Sequence, residues 1–142
     1  MNKHITSESL KRSFQKDAFA QHVGIKLLEV GVGYAKASLR IEDRHLNGLK
    51  IPHGAAIFSL ADLAFAAASN SHGKPAVAIN ASISYIKAAG GPVIYAEAKE
   101  VSANPKIASY EIHITEESGD VVAVFHGLVY RKSMKTNFFD NP

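Results

Sequence analysis

The 142-residue sequence predicts an α+β fold: a long central helix wrapped by a curved antiparallel β-sheet, with a short N-terminal helix in front. Three observations carry this. The stretch Gly54–Ser71 is rich in Ala, Leu and Phe, which favours helix, and it is too long for one strand. Two strand-like segments precede it, and four follow with no second long helix among them. The long helix has almost no polar face, so it must be covered on all sides, and one curved sheet can do that.

Each element has its own signal. Ser7 can cap a helix in which Leu10, Phe14 and Ala18 form one apolar stripe, running to about Gln21. Gly24 then starts extended chain. Ile25–Val30 and Tyr34–Ile41 flank Gly31-Val32-Gly33, a hairpin turn signal. In the second strand Ala35, Ala37, Leu39 and Ile41 alternate with Tyr34, Lys36, Ser38 and Arg40, so one face is buried and the other wet. Glu42–Pro52 is a polar loop with a turn at Asn47-Gly48. The long helix follows, and Gly73 ends it as a C-terminal glycine cap.

Val77–Ile86, Val93–Ala103, Ile107–Glu117 and Val121–Arg131 then read as a meander. Gly90-Gly91-Pro92, Asn104-Pro105 and Ser118-Gly119-Asp120 separate them at hairpin spacing. The strand at 107–115 points Ala108, Tyr110, Ile112 and Ile114 inward. Val121–Tyr130 is apolar on both faces and reads as a central strand. One domain, 1–132, is expected, with a tail 133–142 in which Phe138-Phe139 can dock. Pairing with a second copy would remove an exposed sheet edge, so a homo-oligomer is expected.

Composition bounds the function. Hydrophobic residues make up 46% and charged residues 20%, as in an ordinary globular protein. No cysteine is present, which excludes a thiol nucleophile and cysteine-ligated metal. The net charge of +3 is too small to imply nucleic acid. Basic residues gather as Lys3, Lys11, Arg12, Lys16 and as Arg131, Lys132, Lys135; they read as solvated termini or as attraction for an anionic ligand. The longest apolar run falls short of the roughly 20 residues that span a bilayer, so no membrane partner is expected. No signal-peptide pattern opens the chain, and the expected location is cytoplasmic. The histidines lack metal-ligand spacing, and no serine-hydrolase elbow or phosphate loop occurs. Neither metal nor cofactor is expected.

Asp62 is the outlier, the only charged residue between Gly54 and Gly73. Burial there would raise its pKa toward that of a useful general base. A structural aspartate bonded to backbone groups is the other reading. Pro52-His53-Gly54 opens the helix, where free N–H groups and the positive dipole end suit a developing oxyanion. Gly54 lets a carbonyl approach closely; a plain loop-to-helix junction is the alternative. Gly54 and Asp62 are eight residues apart, roughly 12 Å along one helix, so one carbonyl cannot touch both. If both act, two antiparallel helices from two subunits must supply them. His53 holds either a ligand or the loop. Asn47 either orients a water or carbonyl or simply makes its turn. Ser82 and Ser84 line either a ligand channel or an interface.

Asn47-Gly48, Pro52-His53-Gly54, Ile57-Phe58-Ser59-Leu60-Ala61-Asp62, Phe65-Ala66 and Asn70-Ser71 resemble the hotdog-fold acyl-CoA thioesterases of the PaaI-like, phenylacetate-degradation group. Ser82-Ile83-Ser84-Tyr85 and Val122–Arg131 look like the same family, and the match spans about 14–132. The resemblance implies paired subunits, as homodimer or homotetramer, and hydrolysis of a small or medium acyl-CoA, aromatic acyl groups included. It makes Asp62 the base or nucleophile and the Gly54 amide of the other subunit the group that polarises the carbonyl. It makes Asn47 the group that positions carbonyl or water. Pantetheine would run along the interface past Ala55, Ser82, Ile83 and Ser84, with Lys87 and Lys106 expected at the CoA phosphates. Ala55 stands where the family usually has a second glycine, and Leu63 where it often has threonine. Two alternatives follow: a non-catalytic acyl-CoA binding module, or a hotdog hydratase or dehydratase using His53 with Asp62.

Overall fold

The computed structural model describes residues 7–133. Its elements are α1 (Ser7–Phe14), α2 (Ala18–Val23), β1 (Ile25–Gly31), β2 (Tyr34–Arg40), α3 (Gly54–Ser69), β3 (Ala76–Tyr85), β4 (Val93–Ala103), β5 (Ile107–Glu116) and β6 (Val121–Arg131). The six strands form one antiparallel sheet in the order β1-β2-β4-β5-β6-β3. This is the hotdog arrangement, with α3 held by the curved sheet.

The single N-terminal helix expected from Ser7 to Gln21 is two helices. Asp17 is extended, and its carboxylate accepts the Ala20 N–H at 2.9 Å. It therefore caps a new helix rather than continuing the old one. Gly24, at φ 95°, ends α2 in the left-handed conformation that favours glycine.

The meander is also corrected. β3 does not pair with β4; it pairs with β6, from Ala76 opposite Arg131 to Tyr85 opposite Ala123. β4 instead lies between β2 and β5. The connection from Tyr85 to Val93 exceeds a tight hairpin, and the chain crosses the sheet there. β6 is interior as expected, while β3 is left at the edge with most of its residues exposed.

Small residues let α3 approach the sheet closely. Ala61, Ala64, Ala67 and Ala68 are fully buried, and they meet a sheet face carrying Ala35, Ala37, Ala96, Ala98 and Ala123. Phe65, Phe125 and Tyr110 fill the remaining depth, with ring centroids 5.5 Å apart for Phe65–Phe125 and 5.8 Å for Phe65–Tyr110. The alternation read for β2 and β5 is observed: Ala108, Tyr110, Ile112 and Ile114 are buried.

The helix ends two residues earlier than expected, at Ser69, and its cap is Asn70, not Gly73. The Asn70 side chain donates to Ala66 O at 2.8 Å and accepts the Ala76 N–H at 2.9 Å. One amide thus satisfies a helix carbonyl and fixes the start of β3. The docking expected of Phe138-Phe139 lies outside the described residues.

Candidate active site

The sheet does not cover all of α3. Ala55, Phe58, Ser59, Asp62 and Ala66 recur every three or four residues and form one stripe. None of them is buried, whereas the opposite face is. Asp62 was expected to be buried; in the single chain it is exposed along this stripe.

The stripe floors a depression of about 510 Å³. Phe19 and Ile25 form one wall, and Phe58 and Leu63 add apolar floor. Asp17 and Tyr85 stand at its sides. Among the described residues the Asp62 carboxylate accepts no hydrogen bond and faces no cation. Protein surrounds it on all but the open side. That partial burial pushes its carboxyl above the ordinary value, and the Asp17 carboxylate adds to the rise.

The N-terminus of α3 is built by the loop before it. His45 is buried; its Nδ1 accepts the Glu42 N–H at 3.0 Å, which leaves Nε2 to donate to Val23 O at 2.6 Å. His45 O accepts the His53 N–H at 2.7 Å. His53 is the N-cap, with Nδ1 accepting the Ala55 N–H at 2.9 Å. Its carbonyl takes the Ala56 and Ile57 N–H groups at 3.0 and 3.2 Å. Only the Gly54 N–H, among the first four of the helix, finds no acceptor in the described residues.

Gly54 must be glycine for a close contact. A Cβ there would lie 3.1 Å from Cζ and Oη of Tyr85. The Tyr85 hydroxyl donates to Gly54 O at 3.0 Å, tying the edge strand to the helix start.

The other expected site residues are dispersed. Asn47 serves its turn: Oδ1 accepts from Leu49 N–H at 2.9 Å and Ile51 N–H at 3.4 Å. Its amide nitrogen makes no hydrogen bond among the described residues. Ala55 lies on the exposed stripe. Ile83 packs against the core, so Ser82 and Ser84 alternate onto the other sheet face, away from the depression. Lys87 is near the Gly54 end, but its ammonium faces Asp120 at 3.1 Å and Glu116 at 3.4 Å. Lys106 adjoins Arg131, at the far end of β3, roughly 30 Å from Tyr85 by strand rise.

A larger hollow of about 730 Å³ lies across the outer sheet face, far from Asp62. Four glutamates and two lysines line it, so it is acidic on balance even with Lys99 paired to Glu97 at 3.1 Å, and it does not suit the phosphates of CoA. Size alone therefore does not locate the chemistry.

Sequence reading missed three residues at the site: Asp17, His45 and Tyr85. The helix restart at Asp17-Ala18-Phe19-Ala20 was a legible signal for the first. The Ile83/Tyr85 alternation was one for the last. Nothing in the sequence separated His45 from the other histidines.

The matching family model is described as the thioesterase superfamily and covers residues 49–123. A protein of Archaeoglobus fulgidus bearing an esterase name is 44% identical over 119 residues, 83% of this chain and 77% of that one. The acyl-coenzyme A thioesterase PaaI of Escherichia coli is 31% identical over 129 residues, 90% of this chain and 92% of its own. Its structure superposes with a TM-score of 0.83, covering 89% of this chain and 96% of that one at 30% identity. A thioesterase structure from Streptococcus pneumoniae with coenzyme A shares the fold: TM-score 0.79, 20% identity, 88% of this chain and 98% of that one covered. With a hotdog sheet around α3, and the family match across the helix that carries Asp62, the chain belongs to the thioesterase superfamily and is a thioesterase of its PaaI-like group.

Proposed function

We propose that the protein hydrolyses a small or medium acyl-CoA, aromatic acyl groups included, to the free acid and CoA, in a site completed by a second copy. The observation that carries the reading is the unpartnered Asp62 on the uncovered stripe of α3, above an apolar depression. The E. coli relative's activity supports the substrate class.

Asp62 and Gly54 lie on one straight helix, roughly 12 Å apart. A second copy laid antiparallel on the stripe would bring Gly54 of one chain to Asp62 of the other. The unpaired edge of β3 supports that arrangement, since two such edges can join into one sheet. The Gly54 N–H then donates a hydrogen bond to the thioester oxygen as negative charge develops on it.

Asp62 takes a proton from water as the water oxygen bonds to the carbonyl carbon. The tetrahedral intermediate collapses, the C–S bond breaks, and CoA leaves as a thiolate. Direct attack by Asp62 would form a mixed anhydride that water then cleaves, with the same products. The uncommitted amide nitrogen of Asn47 is available to position the carbonyl or water. Lys87 would have to exchange Asp120 for a CoA phosphate to serve as expected.

The hydratase alternative needs His53 to accept a proton. Its Nδ1 already accepts the Ala55 N–H, which places the remaining proton on Nε2. That tautomer donates, so His53 suits carbonyl polarisation better than proton abstraction.

The test is free-thiol release from a panel of aliphatic and aromatic acyl-CoAs by wild type and Asp62→Asn. Release that the variant loses supports the reading. No release by folded wild type would shift the reading to the binding module.

A further inference from the structure

We propose that Asp17 is a specificity-determining residue that excludes acyl groups ending in a carboxylate, so that the enzyme selects uncharged acyl chains over dicarboxylic half-thioesters of the same length. This rests on the acyl-CoA reading and adds to it a residue and a substrate class.

The geometry assigns the depression to the acyl group. CoA carries several phosphate charges, and the residues lining the depression include two carboxylates, Asp17 and Asp62, with no Lys, Arg or His. An anionic moiety would be repelled there, whereas an uncharged chain meets Phe19, Ile25, Phe58 and Leu63. A thioester carbon placed beside Asp62 therefore sends its acyl chain toward the α2 side.

Asp17 stands on that side. It is the N-cap of α2, and its Oδ1 is held by the Ala20 N–H at 2.9 Å. No other hydrogen bond and no cation engages this carboxylate among the described residues, so no cationic side chain neutralises it. Asp62 also bears on it across the depression, the two carboxylates interacting unfavourably. A third carboxylate at the end of the acyl chain would face both, between apolar walls that weaken solvent screening. The N-cap role alone would be filled equally well by asparagine.

The experiment compares hexanoyl-CoA with adipoyl-CoA, which are matched in carbon count and differ in the terminal carboxylate. kcat/KM is measured for both with wild type and Asp17→Asn at one fixed pH. Wild type should prefer hexanoyl-CoA by about 100-fold, and Asp17→Asn should narrow that ratio by about tenfold. Asparagine keeps the cap, so an unchanged Tm confirms that the fold is retained. A ratio that stays within twofold of wild type would assign the discrimination to the apolar walls and overturn the proposal. Equal wild-type rates on the two substrates would overturn it as well. If neither substrate releases thiol, the hydrolysis reading fails on its own. The Kd ratio of the same two acyl-CoAs then reads the proposal, which stands if Asp17→Asn narrows it and falls otherwise.

Discussion

The two faces of α3 carry similar residues and have opposite fates. On the inner face Leu60, Ala61, Ala64 and Phe65 are almost wholly buried against the sheet. On the outer face Ala55, Phe58, Ser59, Asp62 and Ala66 remain open, although three of the five are apolar. The inner face is finished by the chain itself. The outer one is an unfinished surface, and it holds the one carboxylate of the helix. Packing and the proposed chemistry are thus separated by half a turn of helix.

The comparison breaks most sharply at Asp62. Asp62→Asn should lower kcat by about 10²–10⁴-fold, measured by thiol release. Its effect on stability should run the other way. A carboxyl whose folded pKa is raised above its unfolded value costs stability once pH exceeds the unfolded value. Removing that charge should leave Tm at neutral pH equal or higher. A large fall in Tm would make Asp62 part of the inner architecture instead.

Phe65→Ala probes the other face. It removes a ring packed on Phe125 and Tyr110, and should cost about 3–5 kcal/mol in denaturant unfolding. Activity per folded molecule should change far less than in Asp62→Asn.

Gly54→Ala lies between the two in effect. Its Cβ would push on the Tyr85 ring and displace the amide, so kcat/KM should fall roughly 10–100-fold with little change in the unfolding midpoint. Tyr85→Phe loses the hydroxyl bond to Gly54 O but keeps the ring, and should fall less.

The smallest effect is in pH. Asp62 must be ionised to act, so kcat/KM should rise with pH through its carboxyl pKa. Burial first, and Asp17 second, hold that pKa above the ordinary value. Asp17→Asn should therefore move the acid limb to lower pH, while the larger rise that burial causes remains.

The inner face was legible because periodicity reports burial directly. The alternation in β2 and β5 and the length of the apolar run placed sheet and helix correctly. Strand order was not legible: β3 and β4 are neighbours in sequence, and only the length of the 86–92 connection hinted that they part. The split at Asp17 was lost because an apolar stripe at Leu10, Phe14 and Ala18 runs straight across a cap residue. Asp62 and Gly54 stood out by charge and position. The exposure of Asp62 could not be foreseen, since an apolar helix face reads the same whether a sheet or a second chain covers it.

The central claim is that the open face of one copy completes the site of another. Mixing two impaired variants tests it most directly. Asp62→Asn keeps Gly54, and Gly54→Ala keeps Asp62, so a mixed pair holds one intact composite site. After co-refolding at equal concentration, thiol release should recover to about a quarter of wild type, because half the dimers are mixed and each has one good site of two. Activity no higher than the average of the two variants alone would contradict a shared site and place the chemistry within a single chain.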